Sequence, residues 1–159
     1  MMNPHWVRWG KASFSKHFAD VFAAATQTLF CEGDDRDTAK TKLFAEFRID
    51  GPKIRLLSRR YYRLFVPVNI LITFHMNDTN VYDIDRLSGT ALSAFADHIS
   101  MYKYGPDAVI DDGSLVACFA LMSNSLDGIK VSQFGQIDPI LRTQQASVEG
   151  HYEAFITTE

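Results

Sequence analysis

Three groups of residues in this 159-residue chain have types and spacing suited to chemistry. Asp83-Ile84-Asp85 has the paired carboxylates of metal-dependent transferases, and Asp111-Asp112-Gly113 repeats the pairing. Glu149, His151 and Glu153 stand two residues apart, so in a strand they share one face, and an acid–base pair is one reading of them. Each group has a simpler explanation. Carboxylates at a helix start cap it and complement its dipole, which suits Asp83 and Asp85. Asp-Asp-Gly is turn chemistry. Alternation of polar and apolar residues from Ala146 to Thr157 already accounts for Glu149, His151 and Glu153 as the wet side of an amphipathic strand.

The other histidines, His5, His17, His75 and His98, are scattered, and no His or Cys lies three to five residues from another, so zinc-ligand spacing is absent. There is no Gly-x-x-x-x-Gly-Lys, no Gly-x-Gly-x-x-Gly and no Gly-x-Ser-x-Gly. The expectation is a chain with no active site of its own. No catalytic residue, metal ligand or cofactor is assigned.

Two further clusters suit binding. Lys53, Arg55, Arg59, Arg60 and Arg63 are five cations with no acid among them, interleaved with Tyr61 and Tyr62. Cations among aromatic rings hold nucleic-acid backbones and bases, but they also mark protein interfaces. The isoelectric point of about 5.9 argues against a dedicated nucleic-acid binder. Trp6, Val7 and Trp9 sit beside Arg8 and Lys11; they either cover the first helix or anchor an interface. The interface candidates are therefore Trp6, Trp9, Arg55, Arg59, Arg60, Tyr61 and Arg63. A small-ligand site or enzyme using Tyr61, Arg63, His75 or His151 is the alternative.

Charge is unevenly spread. Residues 1–63 hold twelve Lys/Arg against seven Asp/Glu, a balance of +5; residues 64–159 hold four against twelve, a balance of −8. Such a split gives a subunit one positive and one negative face, which suits head-to-tail assembly, although solvated surface charge explains it too. Cys31 and Cys118 form no framework, so a reducing compartment is expected, with Cys118 buried in its apolar run. Neither a signal peptide nor a membrane-spanning stretch is expected.

The elements that position these residues follow from periodicity. Phe14, Phe18, Val21, Phe22, Ala25 and Leu29 predict a helix from Ser13 to Leu29, capped by Ser13 or Ser15 and followed by a charged loop from Gly33 to Lys40. A strand from Lys42 to Ile49, the turn Asp50-Gly51-Pro52 and a strand from Ile54 to Leu57 suggest a hairpin. From Tyr61 to Phe74, one face reads Tyr62, Leu64, Val66, Val68, Ile70, Ile72, Phe74 and belongs to a core; Pro67 predicts a bulge or an edge. A polar turn at Asn77–Asn80 precedes a second helix from Ile84 to Ile99, with Leu92 on its buried face, and a loop follows through Gly113. Leu115–Met122 reads as a strand buried on both faces, turned back by Asp127-Gly128 into Ile129–Phe134. Asp138-Pro139 breaks the next connection, and the last strand spans Ala146–Thr157. The order predicts one α+β domain over 1–159: an antiparallel or mixed sheet with the N-terminal helix and the second helix on one face.

This plan resembles that of phage tail-terminator, or tail-completion, proteins. The likeness is carried by the helix Phe14–Leu29, the strand Phe44-Ala45-Glu46-Phe47-Arg48-Ile49, and the long strand entered through arginines, Arg59-Arg60-Tyr61-Tyr62-Arg63-Leu64-Phe65-Val66-Pro67-Val68. The helix Ile84–Ile99 and the closing strand Glu149-Gly150-His151-Tyr152-Glu153-Ala154-Phe155-Ile156 complete it. The resemblance implies a structural virion protein, made in the bacterial cytoplasm, that forms a homo-oligomeric ring, often of six subunits. Such a ring meets tail-tube and head-connector proteins at the head–tail junction. It implies DNA passing through the lumen without sequence reading and no catalytic residues; that no membrane is a partner follows from the missing apolar stretch.

Overall fold

The computed structural model describes residues 2–32, 34, 41–75, 82–107, 110–122, 128–138 and 143–158, with the backbone alone at 110–112, 136 and 138. Two 15-residue antiparallel strands, β4 (Tyr61–His75) and β8 (Thr143–Thr157), form its spine, paired from Tyr61–Thr157 at one end to His75–Thr143 at the other. Two shorter strands follow one another along the outer edge of each. Beside β4 lie β2 (Leu43–Ile49) and then β3 (Lys53–Ser58); beside β8 lie β6 (Ile110–Leu121) and then β7 (Lys130–Asp138). The two-residue β1 (Leu29–Phe30) adds to β2 in parallel, and β5 (His98–Tyr104) adds antiparallel to β6, so the eight-stranded sheet is mixed.

Helices α1 (Trp6–Ala24) and α2 (Asp83–Ala94) cover one face, giving the α+β class that the element order predicts. Alternation in β4 sets that face: Leu64, Val66, Val68, Ile70, Ile72 and Phe74 are buried. Phe14, Phe18 and Phe22, spaced four apart on α1, pack on it, Phe14 edge-on to Tyr152 and Phe18 against Phe47. Gly150 admits Phe95, just past α2: a Cβ there would stand 2.5 Å from the Phe95 ring.

Several elements differ from the periodicity reading. The first helix begins at Trp6 and stops at Ala24. Ser13 is therefore no cap; it is buried in mid-helix, and its Oγ accepts the backbone N–H of Tyr102. Leu29 belongs to β1. The second helix stops at Ala94, leaves Leu92 exposed, and is followed by β5, which occupies part of the segment expected to be loop. Neither expected hairpin forms, because β2 with β3, and β6 with β7, each share a long partner instead of pairing with one another. β6 is buried on one side only: Ala117 and Phe119 are inside, Leu115 and Cys118 exposed. Asp111, Asp112 and Gly113 lie in this strand, with Gly113 at φ 72°. The turns expected at Asn77–Asn80, Asp127 and Pro139, and the loop at Gly33 and Asp35–Lys40, lie outside the described residues.

The break between β2 and β3 faces Pro67. The carbonyl of Pro67 accepts the Asp50 N–H at 3.2 Å, so the nitrogen of Pro67, which has no hydrogen to give, points to the same side. The ladder opens there through Gly51, at φ 111°, and the buried Pro52, joined by a cis peptide bond. Pro52 is packed under Gly10 of α1, where a Cβ would stand 3.0 Å from its Cγ.

A candidate subunit interface at the β3 edge

The face of the sheet turned away from the helices carries the odd-numbered residues of both long strands. On β8 these include Glu149, His151, Glu153 and Phe155; on β4, Tyr61, Arg63, Phe65, Pro67 and Asn69. The three members of the acid–base candidate are engaged separately. Glu153 Oε2 accepts from both Nε and Nη2 of Arg63, each at 2.8 Å. Glu149 Oε1 accepts from Asn69 Nδ2 at 3.1 Å. The His151 ring stacks on Phe65 at 5.5 Å between centroids, and the Arg63 guanidinium lies 5.3 Å over the same phenyl ring. These contacts fasten β4 to β8 across the exposed face.

Beside them, where Pro67 opens the ladder, is a depression of about 350 Å³ lined by Arg48, Asp50, Pro67, Asn69, Glu149 and His151. Asn69 Oδ1 and His151 Nδ1 are buried there without a partner among the described residues.

Asp83 and Asp85 occupy the first turn of α2, as dipole complementarity predicts. Asp83 pairs with Arg86 at 2.8 Å, and Asp85 accepts from Gln133 at 2.6 Å, tying α2 to β7; the N-cap itself is Tyr82, with no side-chain bond. His75 bonds Thr143 Oγ1 at 3.0 Å, and His17 donates to the Ala94 carbonyl at 2.8 Å. Among the described residues, no three His, Cys, Asp or Glu side chains gather to hold a metal ion, and no helix is long and apolar enough to cross a membrane.

The predicted interface residues fall into two groups. Trp6 and Trp9 are only 3% and 6% exposed. Trp6 packs edge-on to Tyr62, and Trp9 Nε1 donates to the Tyr104 carbonyl at 2.9 Å, so these rings cover the core and offer no anchor to a neighbour. The other five meet at the β3 end of the sheet. Register places Arg55, Arg63 and Phe155 abreast across three strands, with Tyr61 next along the same face and Arg59 and Arg60 in the β3–β4 turn. Arg55, Arg59 and Arg60 are exposed and have no ion-pair partner among the described residues.

Arg55 stands directly opposite Arg63, a like-charged cross-strand pair, which destabilises an isolated protomer. Glu153 neutralises Arg63; nothing within the described protomer does so for Arg55. On the same face Tyr61 is 55% and Phe155 61% exposed; Leu56, 59% exposed, stands opposite Tyr62 on the other face, and Leu57, 48% exposed, sits at the register shift that follows it. Arginine set among exposed aromatic and aliphatic side chains is the composition of an interface core. The sequence reading missed Leu56, Leu57 and Phe155. Phe155 carried a signal, being a large apolar residue on the wet side of an alternating strand.

No family model matches this chain, and no curated protein matches it. Several solved structures resemble it; one of them does so over 96% of this chain and 97% of its own, with a TM-score of 0.55 and 13% sequence identity. At that identity the likeness concerns the fold alone, so the α+β plan has a solved counterpart of the same extent.

Proposed function

We propose that this chain is a structural subunit that works by docking onto copies of itself and onto neighbouring proteins, as a ring at the head–tail junction or tail end of a phage. No catalytic step is assigned to it. The observation that carries the reading is the β3 edge: three arginines with no ion-pair partner among the described residues, one set against another cation, beside exposed Tyr61 and Phe155 on one face and with exposed Leu56 and Leu57 along the same edge. A protomer gains nothing from that arrangement alone, whereas a neighbour supplying carboxylates and an apolar surface relieves both costs. The phage assignment adds the resemblance of plan, with its arginine-entered long strand and its amphipathic closing strand. In that setting the chain is made in the host cytoplasm and ends in the virion, touching tail-tube and connector proteins while DNA passes through the lumen.

Light scattering of the purified protein across a concentration series tests the assembly, and electron microscopy of the same sample tests its shape. A closed ring of several subunits is expected. A monomer at every concentration up to the millimolar range sinks the proposal. The nucleic-acid reading rests on the same arginines. Unchanged retention of double-stranded DNA by a variant with Arg55, Arg59 and Arg60 all replaced by Glu assigns them to protein contact.

A further inference from the structure

Among the described residues the sheet ends on the edges of β1, β5, β3 and β7. β1 is two residues long and meets β2 only at Ala45 and Glu46, too short an edge to template a ladder. The β5 edge is blunted by α1: Ser13 Oγ accepts the Tyr102 N–H at 3.1 Å, and Arg8 and Trp9 both donate to the Tyr104 carbonyl at 2.9 Å. β3 and β7 each pair on one side only. Both present apolar side chains, Leu56 and Leu57 on the first, Val131, Phe134 and Ile137 on the second. Uncovered edges of this kind template strand addition.

Resting on the assembly reading above, we infer that the β3 edge of one copy pairs with the β7 edge of the next, making a continuous intersubunit sheet. Three observations select this pairing. The first is direction. β3 runs antiparallel to β4, and β7 antiparallel to β8, while β4 and β8 oppose one another. β3 and β7 therefore run in opposite senses within one protomer. A copy displaced sideways without being turned over brings them together antiparallel, the sturdier ladder.

The second is charge. Residues 53–60 hold Lys53, Arg55, Arg59 and Arg60 and no acid. β7 carries one cation, Lys130, against one acid, Asp138, and Asp85 reaches it through Gln133, so it offers the β3 cations no second row of like charge. Two β3 edges facing each other would oppose cation to cation.

The third is position. β3 is centred opposite Arg63, and β7 opposite Ala146, whose own partner is Ile72; the edges are offset by nine residues, 72 minus 63. At roughly 3.3 Å per residue this is a stagger of about 30 Å per subunit. A stagger repeated in one direction is the shear of a barrel, which closes when strands tilt against the axis. The contact is heterologous, as a ring requires.

Complementation tests the pairing. Leu56→Lys blocks β3, and Val131→Lys blocks β7; Leu57→Lys and Phe134→Lys are second choices should either fail to give the parental circular-dichroism spectrum. Each variant alone is expected to be monomeric by light scattering. Mixed one to one, they are expected to form a heterodimer and nothing larger, because one intact β3 meets one intact β7. A β3 variant that keeps the parental mass overturns the inference, and one that dimerises by itself replaces it with β7–β7 pairing. Monomers that stay apart on mixing also overturn it. If the unmodified chain assembles and the mixture does not, the edge pairing fails while the assembly reading stands; if the unmodified chain is itself monomeric, both fail.

Discussion

Tyr152 is the largest fully buried side chain of the core and bears a polar atom, which makes it the most consequential single residue inside the protomer. Its hydroxyl donates to the Ala96 carbonyl at 2.8 Å, fixing the segment between α2 and β5 to the central strand. Burial, and secondarily the nearby Asp97 carboxylate, push this phenol well above the ordinary tyrosine value of about 10. Below pH about 10 both states keep the proton and the tyrosine's contribution is whole. Above it the unfolded chain releases the proton while the folded one holds it, so stability falls as the pH climbs toward the folded value. Tyr152→Phe is expected to cost about 1 kcal/mol at neutral pH, from the orphaned carbonyl, and to flatten the alkaline loss seen in thermal melts from pH 9 upward. Gly150 is the neighbouring case. Gly150→Ala drives a methyl into the Phe95 ring and is expected to lose about 1–3 kcal/mol in denaturant unfolding, partly restored by Phe95→Leu. Neither role could be read from the sequence, where Gly150 and Tyr152 are merely alternate members of an amphipathic run.

At the scale of elements, what was legible depended on whether the apolar period was carried by large side chains. The β4 strand declared itself because Leu64, Val66, Val68, Ile70 and Ile72 alternate without a gap. The start of α1 was hidden because two positions of its inner stripe are small: Gly10 presses on Pro52, and Ser13 reaches β5. Ile99 sits four residues past Phe95, so it prolonged the helical period into what is in fact β5. Hairpins were expected between β2 and β3 and between β6 and β7, whereas β3 and β7 each turn back on the long strand that follows them, β4 and β8, and the local pattern does not say which neighbour a strand will take. Of the candidate site, the cations and Tyr61 were visible as a run; the clustering of Phe155 with them required the β4–β8 register. Ser13→Ala leaves the Tyr102 N–H without its acceptor. The expected cost is about 1–2 kcal/mol in melting experiments, with faster hydrogen exchange confined to β5.

For the whole molecule, the proposed assembly ties the uneven charge to a mass that can be measured. Replacing Arg55, Arg59 and Arg60 by Glu reverses the charge of the β3 end and leaves every described ion pair intact. The assembled mass in light scattering is expected to fall to that of the monomer, with the circular-dichroism spectrum of the fold retained. The parental assembly should weaken as salt rises from 50 to 500 mM, since exposed charges are screened over about 10 Å at 0.1 M. The central place of β8 bears on how the chain acquires its shape. β8 is the last strand in chain order, yet β4, β6 and β7 all lean on it. Until it arrives, two partial sheets have no common wall, and β4 waits with one side bare through all the synthesis that separates Tyr61 from Thr157. Contacts so distant in sequence form slowly, and a waiting apolar strand is prone to capture by other chains. A nascent chain stopped before Thr143 should therefore bind chaperones or precipitate, and adding a synthetic peptide of residues 143–158 should recover soluble protein.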